Sequence, residues 1–464
     1  MNKNFFDLQR FVNYDSNTLL SGTTGNDTIE NAGNNVTIQT FAGNDYVNNY
    51  GTAPSVTSFS AGKNTLILAG DGNDSIDNSG ANSVVDGGND NDTINNDSYG
   101  LNSSILGGAG DDSIDNSGED AKLYGGDGAD TINNTNLGKG ASVFGNNGND
   151  YITTYKADSV LVDGGADDDY IFNTSGNFIT ISASDGNDSV HSYEGDSVRV
   201  SLDGGNDYFN AYQSKNLTVF GGDGNDTIKG NGADKINYDG GAGNDYFDLY
   251  NSKNVTVSGN TGNDSINNIG DNVLINYTSG DGYDSIIGFK ANSTLSISGG
   301  SYSTTKNDSD IIVTVGNGKI TLKGAASLSS VNISGTEEKN NYTDGTLFNG
   351  TSEADILNNY ADNVTISGGN DYIFNNKSSV LIDGGAGADS VTNMGGQYVT
   401  INSGAGNDSI YNYLNSSVTI NTGAGNDTLF GGDGQIVIKN GAKKYIPIYF
   451  GQSGNNVVKV HRGM

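Results

Sequence analysis

Aspartate recurs in this chain at a nearly constant interval, each time at the end of a glycine-rich segment such as GGDGNDTI, residues 221–228. The interval is 18 to 20 residues within the long block, apart from a longer one between Asp45 and Asp74. Carboxylates repeated in this way can bind cations. The residues that we predict to bind metal are Asp27, Asp45, Asp74, Asp92, Asp112, Asp130, Asp150, Asp169, Asp188, Asp207, Asp226, Asp245, Asp264, Asp284, Asp371, Asp389, Asp408 and Asp427.

The glycines beside these aspartates indicate which cation would bind. Glycine allows the backbone to adopt positive φ or to approach another group closely, so peptide carbonyls can turn towards the carboxylate. An all-oxygen site with six to eight ligands at about 2.3–2.6 Å suits Ca²⁺, whereas Mg²⁺ requires a tighter octahedron and retains water. Without a cation, aspartates stacked one strand spacing apart, about 4.8 Å, would repel one another. We therefore predict multiple bound Ca²⁺ ions.

Apolar residues at fixed positions around each aspartate predict the elements that hold it. Ile228 follows Asp226 by two positions, and the pair Leu217 and Val219 precedes it by nine and seven. The variable residue between the members of each pair gives the alternation of a half-buried strand. Two short strands and two turns form one coil, and stacked coils bury their apolar faces on each other. The predicted fold is all-β, a parallel β-solenoid or β-roll in two blocks.

A second recurring residue lies four positions after the aspartate and is often asparagine. In stacked coils these residues would form a ladder of side-chain amides at the edge opposite the aspartates. This edge is poor in acid, so we predict metal at the aspartate edge only. The expected members of the ladder are Asn31, Asn49, Asn78, Asn96, Asn116, Asn134, Asn268, Asn375, Asn393 and Asn412.

Four segments resemble the glycine-rich nonapeptide of RTX, or hemolysin-type, calcium-binding proteins: GGDGADTI (125–132), GGDGNDTI (221–228), GGAGNDYF (240–247) and GGAGADSV (384–391). The resemblance implies a parallel β-roll with Ca²⁺ between like turns of successive coils. It also implies export by type I secretion machinery and folding on contact with extracellular calcium. In this chain the nonapeptide recurs only at every second half-turn, so we expect a single row of calcium ions.

The charge of the chain argues against several kinds of partner. Acidic residues outnumber Lys and Arg by 55 to 22, for a formal net charge of −33. This balance excludes nucleic acid, disfavours anionic membranes and favours cations. No apolar run approaches the roughly 20 residues of a transmembrane helix, and the N-terminus lacks the apolar core of a signal peptide. Together with the export that the RTX resemblance implies, these observations predict a secreted or cell-surface protein without membrane insertion and without a cleaved N-terminal signal peptide.

No residue stands out from the repeat as a catalytic acid, base or nucleophile. The chain has two histidines and no cysteine, and its acids serve the turns. We therefore predict that it is not an enzyme. Tyrosine often follows the aspartate directly and would point outward, where it could stack on sugars or simply favour the strand. These tyrosines are Tyr46, Tyr151, Tyr170, Tyr208, Tyr246 and Tyr372.

Breaks in the repeat predict the domain organisation. The segments are an N-terminal apolar cap (1–20), a first calcium-binding β-roll (21–290), a cap or spacer with a hairpin at VTVGNGKITL (291–348), a second roll (349–435) and a C-terminal cap or assembly segment (436–464). The ends of a solenoid expose unpaired strand edges, which are either capped or stacked on a partner. Self-association end to end is therefore a second interpretation of the apolar ends.

These patterns favour a secreted calcium-binding structural protein whose β-roll folds on binding Ca²⁺. It would be a subunit of a surface layer, a matrix or a filament. The alternative is an RTX carrier or adhesin-type module that binds surface glycans or assists type I export.

Overall fold

The computed structural model describes residues 2–4, 10–50, 62–135, 137–351, 353–413, 417–431, 435–440, 448–450 and 457–462. The chain divides into two compact units. Unit 1 comprises Met1–Ile275 and Tyr283–Ser293, and unit 2 comprises Asn276–Gly282 and Thr294–Met464. Regular structure in the described residues is β, apart from one 3-10 helix, Ala325–Ser327. No helix in this part of the chain is long and apolar enough to span a membrane.

Unit 1 is a stack of coils in which like strands of successive coils pair in parallel, residue for residue. Ile94, for example, lies opposite Ile76 on one side and Ile114 on the other. The predicted parallel β-solenoid is therefore confirmed. The strands before each aspartate are Asn2–Asn4, Leu19–Ser21, Thr37–Ala42, Leu66–Asp71, Val84–Asn89, Ser104–Ala109, Lys122–Asp127, Ser142–Asn147, Leu161–Ala166, Thr180–Asp185, Arg199–Ser201, Lys215–Asp223, Asp234–Ala242 and Lys253–Thr261. The strands after it are Arg10–Asn13, Thr28–Asn31, Tyr46–Asn49, Ser75–Asn78, Thr93–Asn96, Ser113–Asn116, Thr131–Asn134, Tyr151–Tyr155, Tyr170–Thr174, Ser189–Tyr193, Tyr208–Tyr212, Thr227–Asn231, Tyr246–Asp248, Ser265–Asn267 and Tyr283–Ile287.

Alternating burial explains why these residues form the coils. In the strand Val84–Asn89, Val85 is fully buried while the preceding Val84 is exposed. The apolar pair predicted nine and seven residues before an aspartate lies inside, since Leu217 and Val219 are both buried. Each coil therefore buries its apolar residues on the equivalent residues of neighbouring coils, and the core consists of parallel columns.

Coils differ in length, and in several of them the extra residues lie in the turn that follows the second strand, which we call the asparagine turn. In an 18-residue coil, Nδ2 of Asn78 donates to the carbonyl of Gly80, two residues further on. In a 20-residue coil, Nδ2 of Asn96 donates to the carbonyl of Gly100, four residues further on. The glycine-rich turn that ends in the recurring aspartate, which we call the aspartate turn, does not take up these added residues.

The largest insertion also falls in an asparagine turn. Residues 51–61 lie outside the described residues, and Nδ2 of Asn49 donates to the carbonyl of Gly62 directly after them, at 2.9 Å. On the opposite edge, the backbone N–H of Asp45 donates to Oδ1 of Asp74 at 2.7 Å, as in the uninterrupted coils. The insertion therefore leaves the stacking of the aspartates unchanged.

Unit 2 contains two seven-stranded parallel sheets of the same kind. Parallel pairing begins at Glu338, earlier than residue 349, where the second roll was predicted to start, and it includes Val457–Arg462 in the predicted cap or assembly segment. One sheet contains Glu338–Asn341, Ile356–Asn359, Tyr372–Asn375, Ser390–Asn393, Ser409–Asn412, Thr428–Gly431 and Ile448–Phe450. The other contains Leu347–Asn349, Thr365–Ser367, Leu381–Asp383, Thr400–Asn402, Val418–Gly423, Gln435–Asn440 and Val457–Arg462.

The remaining part of unit 2 contains the predicted hairpin. Asp310–Val315 pairs antiparallel with Gly318–Lys323 and, on its other side, with Tyr302–Asn307. Thr294–Ser298 pairs in parallel with Asn332–Ser334. One further strand, Asp271–Thr278, includes the residues at which the two units divide.

Candidate metal centre

The predicted metal-binding aspartates form one buried column in each unit. The backbone N–H of each aspartate donates to Oδ1 of the aspartate in the next coil. These bonds run from Asp27 to Asp284 in unit 1 at 2.7–2.9 Å. In unit 2 they run from Glu337 through Asp355 to Asp427 at 2.6–3.1 Å. We call this feature the aspartate ladder.

The second carboxylate oxygen in most rungs of the ladder is buried without a hydrogen-bond partner. These aspartates are only 1–3% exposed. An anionic oxygen in such a position is costly to bury unless a cation or a donor compensates for it. The rungs with an unpaired Oδ2 are Asp45, Asp74, Asp92, Asp112, Asp130, Asp150, Asp169, Asp188, Asp207, Asp226, Asp245, Asp371, Asp389 and Asp408.

Burial strongly raises the pKa of many of these carboxyl groups. Loss of hydration, reinforced by neighbouring carboxylates and opposed by the N–H of the preceding rung, raises the pKa of Asp92 and Asp169 to about 8. The same causes raise the pKa of Asp112 and Asp150 to about 7. In the absence of a cation, these groups therefore favour the protonated form near neutral pH.

Peptide oxygens converge on the same place as the unpaired carboxylate oxygens. Gly87 lies five residues before Asp92, and a Cβ at Gly87 would be 2.2 Å from Oδ2 of Asp92 and 2.5 Å from the carbonyl oxygen of Gly107 in the next coil. A side chain at this position would collide with both oxygens, so glycine is what allows them to approach the backbone this closely.

Two other glycines of the aspartate turn are required by the backbone itself. Gly108 has φ of 124° and Gly110 has φ of 137°, in the region that favours glycine. A Cβ at either position would also lie within about 2.3 Å of a carbonyl oxygen of the preceding coil. The repeated glycines therefore hold carbonyl groups of successive coils close to the ladder.

This donor set fits a hard cation. Within the described residues, no three His, Cys, Asp or Glu side chains converge on a point that could hold a metal. A cation at the ladder would therefore take a carboxylate oxygen from each coil and its remaining ligands from peptide carbonyls. Ca²⁺ accepts such all-oxygen, flexible coordination.

Two rungs of the ladder differ from the rest. Oδ2 of Asp27 accepts the backbone N–H of Thr23 at 2.6 Å and its hydroxyl at 3.2 Å. Oδ2 of Asp355 likewise accepts the backbone N–H and the hydroxyl of Thr351. Asp27 was predicted as a metal ligand, but threonine already supplies donors to this oxygen. Asp355, which was not among the predicted ligands, belongs to the ladder as fully as its neighbours.

The opposite edge carries the predicted amide ladder. Nδ2 of each asparagine donates to Oδ1 of the next from Asn13 to Asn134 in unit 1, at 2.7–2.8 Å, and from Asn341 to Asn412 in unit 2. Asn268 was expected in this ladder but donates to the hydroxyl of Ser293 instead. We call this feature the asparagine ladder.

A third ladder was not predicted from the sequence. In many coils an exposed asparagine immediately precedes the aspartate, and its Oδ1 accepts the backbone N–H of the equivalent residue in the next coil. Five consecutive coils share this arrangement, at Asn187, Asn206, Asn225, Asn244 and Asn263. The recurring dipeptide Asn-Asp was the available signal. This ladder caps the outer surface of the aspartate turns.

Outward-facing aromatic residues stack along the solenoid. The rings of Tyr151 and Tyr170 lie 5.2 Å apart and nearly parallel, at 4°. His191 lies between Tyr170 and Tyr208, with ring centroids 5.1 and 5.6 Å away, and burial lowers its pKa. The faces of Tyr151 and Tyr170 are directed at each other, whereas the ring of His191 is tilted against both of its neighbours.

Comparison with known proteins identifies the repeat. The chain matches the RTX calcium-binding nonapeptide repeat in four copies, at residues 21–49, 122–134, 218–247 and 417–435. It matches no curated protein significantly. Among solved structures, the extracellular lipase LipA from Serratia marcescens is similar to 57% of this chain, with 14% sequence identity and a TM-score of 0.20. The alignment spans 43% of the lipase.

Proposed function

We propose that this chain, a β-solenoid with RTX calcium-binding nonapeptide repeats, is a secreted structural protein that folds when Ca²⁺ occupies its aspartate turns. The observation that supports this most directly is the column of buried, unpaired Oδ2 atoms, which repeats along both units. The solenoid positions these oxygens but provides no donor for them.

The two carboxylate oxygens of each aspartate in the ladder have different roles in binding an ion. Oδ1 of each aspartate accepts a backbone N–H, which fixes the orientation of the carboxylate. Oδ2 is left unpaired and lies close to a carbonyl oxygen of the next coil. A bound Ca²⁺ supplies the positive charge that this arrangement lacks. Because the ligands come from successive coils, ion binding and coil stacking are coupled.

A structural role fits the way in which the chain uses its residues. The same coil recurs through most of both units, and each coil contributes to a ladder or to the apolar columns. His191 is partly buried among aromatic rings and has a lowered pKa, which is typical of packing. We propose a subunit of a surface layer, matrix or filament, exported by type I machinery, with no catalytic activity.

The alternative function is a carrier or adhesin-type module that binds surface glycans. Exposed tyrosines such as Tyr155 and Tyr246 favour this interpretation, since aromatic rings commonly stack on sugars. The ring faces of Tyr151 and Tyr170 are already engaged with each other, which favours the structural role.

Circular dichroism tests calcium-dependent folding. Purified full-length protein in EDTA at pH 8 is expected to lack the β-sheet signal and to gain it on titration with CaCl₂, with MgCl₂ at equal ionic strength as the control. A chain that keeps the same spectrum and melting temperature in EDTA and in Ca²⁺ contradicts the proposal.

Electron microscopy of the same samples tests the structural role. Filaments or sheets that form in Ca²⁺ and disperse in EDTA support a polymer subunit. Discrete particles combined with binding to a glycan array support the adhesin-type module instead.

A further inference from the structure

Tyrosines of adjacent coils lie against one another on the outside of the solenoid. Equivalent residues of successive coils are about 4.8 Å apart, so a tyrosine that recurs in the next coil brings two phenol rings into contact. We call these contacts the tyrosine pairs. They are Tyr151 with Tyr170 and Tyr193 with Tyr212 in unit 1, and Tyr342 with Tyr360 in unit 2, with ring centroids 5.2, 5.5 and 5.2 Å apart.

The pairs can be reached from solvent. Tyr342 is 73% exposed, Tyr151 is 44% exposed and Tyr212 is 37% exposed, so each pair has one member that a dissolved reagent can approach. The backbone holds the second ring beside the first, because Tyr151 and Tyr170 are direct partners in neighbouring parallel strands. A reaction between the two rings therefore requires no rearrangement of the coils.

The composition of the chain directs oxidation to tyrosine. The side chains that lose a single electron most readily are those of tryptophan, cysteine and tyrosine. This chain has 25 tyrosines, no tryptophan and no cysteine. A radical formed on the protein therefore comes to rest on tyrosine. The absence of cysteine also means that no disulfide can link one coil to the next.

We propose that the tyrosine pairs are sites of oxidative cross-linking, at which dityrosine forms between adjacent coils of one molecule. The oxidant is a peroxide activated by a heme peroxidase, and it takes one electron and one proton from each phenol. Ring carbons ortho to the two hydroxyl groups then join, and the hydrogen on each of these carbons moves to its phenolic oxygen. Two tyrosines and one H₂O₂ give one dityrosine and two H₂O.

The link has a structural effect that differs from that of a cation. Tyr170 follows Tyr151 by 19 positions, so the new bond closes one coil into a loop. A covalent link of this kind restricts the unfolded chain in the same way as a disulfide. The pairs lie outside the aspartate ladder, so the link keeps two coils joined when Ca²⁺ is removed. This modification goes beyond the proposed calcium-dependent role and does not rest on it.

Oxidation of the full-length protein tests the proposal. Dilute protein in CaCl₂ is treated with peroxidase and H₂O₂, digested and searched by mass spectrometry for peptides joined by dityrosine. The three tyrosine pairs should give the main links, on a chain that still migrates as a monomer. The same treatment in concentrated urea should abolish the preference for these pairs, because the unfolded chain no longer holds the rings together.

Tyr151→Phe is the most informative variant, because it keeps a ring in the stack and removes only the phenolic hydroxyl. It should lose the link to Tyr170 and retain the link between Tyr342 and Tyr360. Tyr342→Phe should give the reciprocal result. Each variant thus serves as the folding control for the other.

Tyr398→Phe is the matched control on an exposed tyrosine without a tyrosine neighbour. Tyr398 is 69% exposed, and the equivalent residues of the adjacent coils are Ser379 and Ser417. The variant should form all three links in the same yield as the wild type.

Three results would overturn the proposal. They are a wild type without dityrosine, links distributed among tyrosines according to their exposure, with Tyr398 among them, and an unchanged dityrosine yield in Tyr151→Phe and Tyr342→Phe. None of them bears on calcium binding, which circular dichroism tests separately. Loss of one specific link in each Phe variant, with the other retained, supports the assignment of the pairs.

Discussion

The aspartate and asparagine ladders are built on the same coils, with the same rise and comparable burial, yet only one is complete. An amide has both donors and acceptors, so Asn116 accepts from Asn96 while it donates to Asn134 and to the carbonyl of Gly118. A carboxylate only accepts, so most aspartates of the other ladder bind one N–H through Oδ1 and keep an Oδ2 that receives no donor. The asparagine ladder thus satisfies its own hydrogen-bonding groups. The aspartate ladder needs a cation or protons from solution, so folding depends on them.

The largest difference between the two ladders should appear when pH is changed, because only the aspartate ladder titrates. A carboxyl group whose pKa is higher in the folded state binds its proton more tightly there, so metal-free stability is greatest at low pH. It falls as pH rises from about 4, the unfolded pKa, towards the folded values of about 6 to 8. In EDTA, the β-sheet signal should therefore be present at pH 5.5 and lost at pH 8.

The asparagine ladder provides the contrast for this experiment, because its amides do not titrate. In saturating Ca²⁺ the trend should flatten or reverse, since protons then compete with the ion for the carboxylates. Circular dichroism melts at several pH values measure both trends. A metal-free protein that is more stable at pH 8 than at pH 5.5 contradicts the assigned role of the buried carboxyls.

The next effect comes from placing a carboxylate in the asparagine ladder. Asn116→Asp removes the donors to Asn134 and Gly118 and buries a charge, which should cost about 3 kcal/mol of stability or more. Urea denaturation in Ca²⁺ measures the loss. Asn251→Asp adds the same charge in an exposed turn and should change stability by less than about 0.5 kcal/mol. Equal effects of the two substitutions would show that the ladder bonds are unimportant.

The reverse substitution, asparagine for aspartate in the aspartate ladder, should stabilise the protein in EDTA and destabilise it in Ca²⁺. Asp130→Asn keeps an oxygen for the N–H of Asp112 and removes a carboxyl whose pKa burial raises to about 6. In EDTA at pH 5.5, where the metal-free fold is expected to persist, it should stabilise the fold by about 2 kcal/mol, and in Ca²⁺ it should destabilise it by a similar amount. Denaturation midpoints under both conditions provide the measurement. The same sign in both would mean that Asp130 binds no cation.

The smallest effect is expected from the aromatic stack outside both ladders. Tyr151→Ala removes one ring from its contact with Tyr170 and should cost about 1 kcal/mol. Because the stack involves no ion, the loss should be equal in Ca²⁺ and in EDTA at pH 5.5. Tyr14→Ala, at a tyrosine that is 60% exposed, is the control and should be nearly neutral.

The repeat period of the sequence was sufficient to predict which residues stack on one another in successive coils. Alternation around Leu217 and Val219, together with the spacing of the aspartates, predicts parallel coils because equivalent residues must stack to be buried. Asparagines such as Asn31 and Asn49 were correctly placed in a ladder for the same reason. Asn268 departed from it because the equivalent residues of the neighbouring coils are Leu249 and Gly288, which have no side-chain amide.

Other features depend on the orientation of individual atoms, which the spacing of a repeat does not reveal. The sequence predicted mutual repulsion between stacked aspartates, but it could not show that Oδ1 would accept the N–H of the preceding rung. Adjacent glycines such as Gly125 and Gly126 look equivalent in sequence, whereas Oδ2 of Asp130 crowds the first and only the second has a positive φ.

The position of the inserted residues within the coil indicates where such a chain can accept insertions, in evolution or in protein engineering. Additions of two residues after Asn96, and of the longer segment 51–61, enter at the asparagine turn and leave the rungs of the opposite edge in register. That turn is a permissive insertion site in which new loops or whole folded modules can be introduced one coil at a time. The aspartate turn varies less: among the described coils it keeps one length except before Asp371, where it is two residues shorter, and before Asp284, where it is two residues longer.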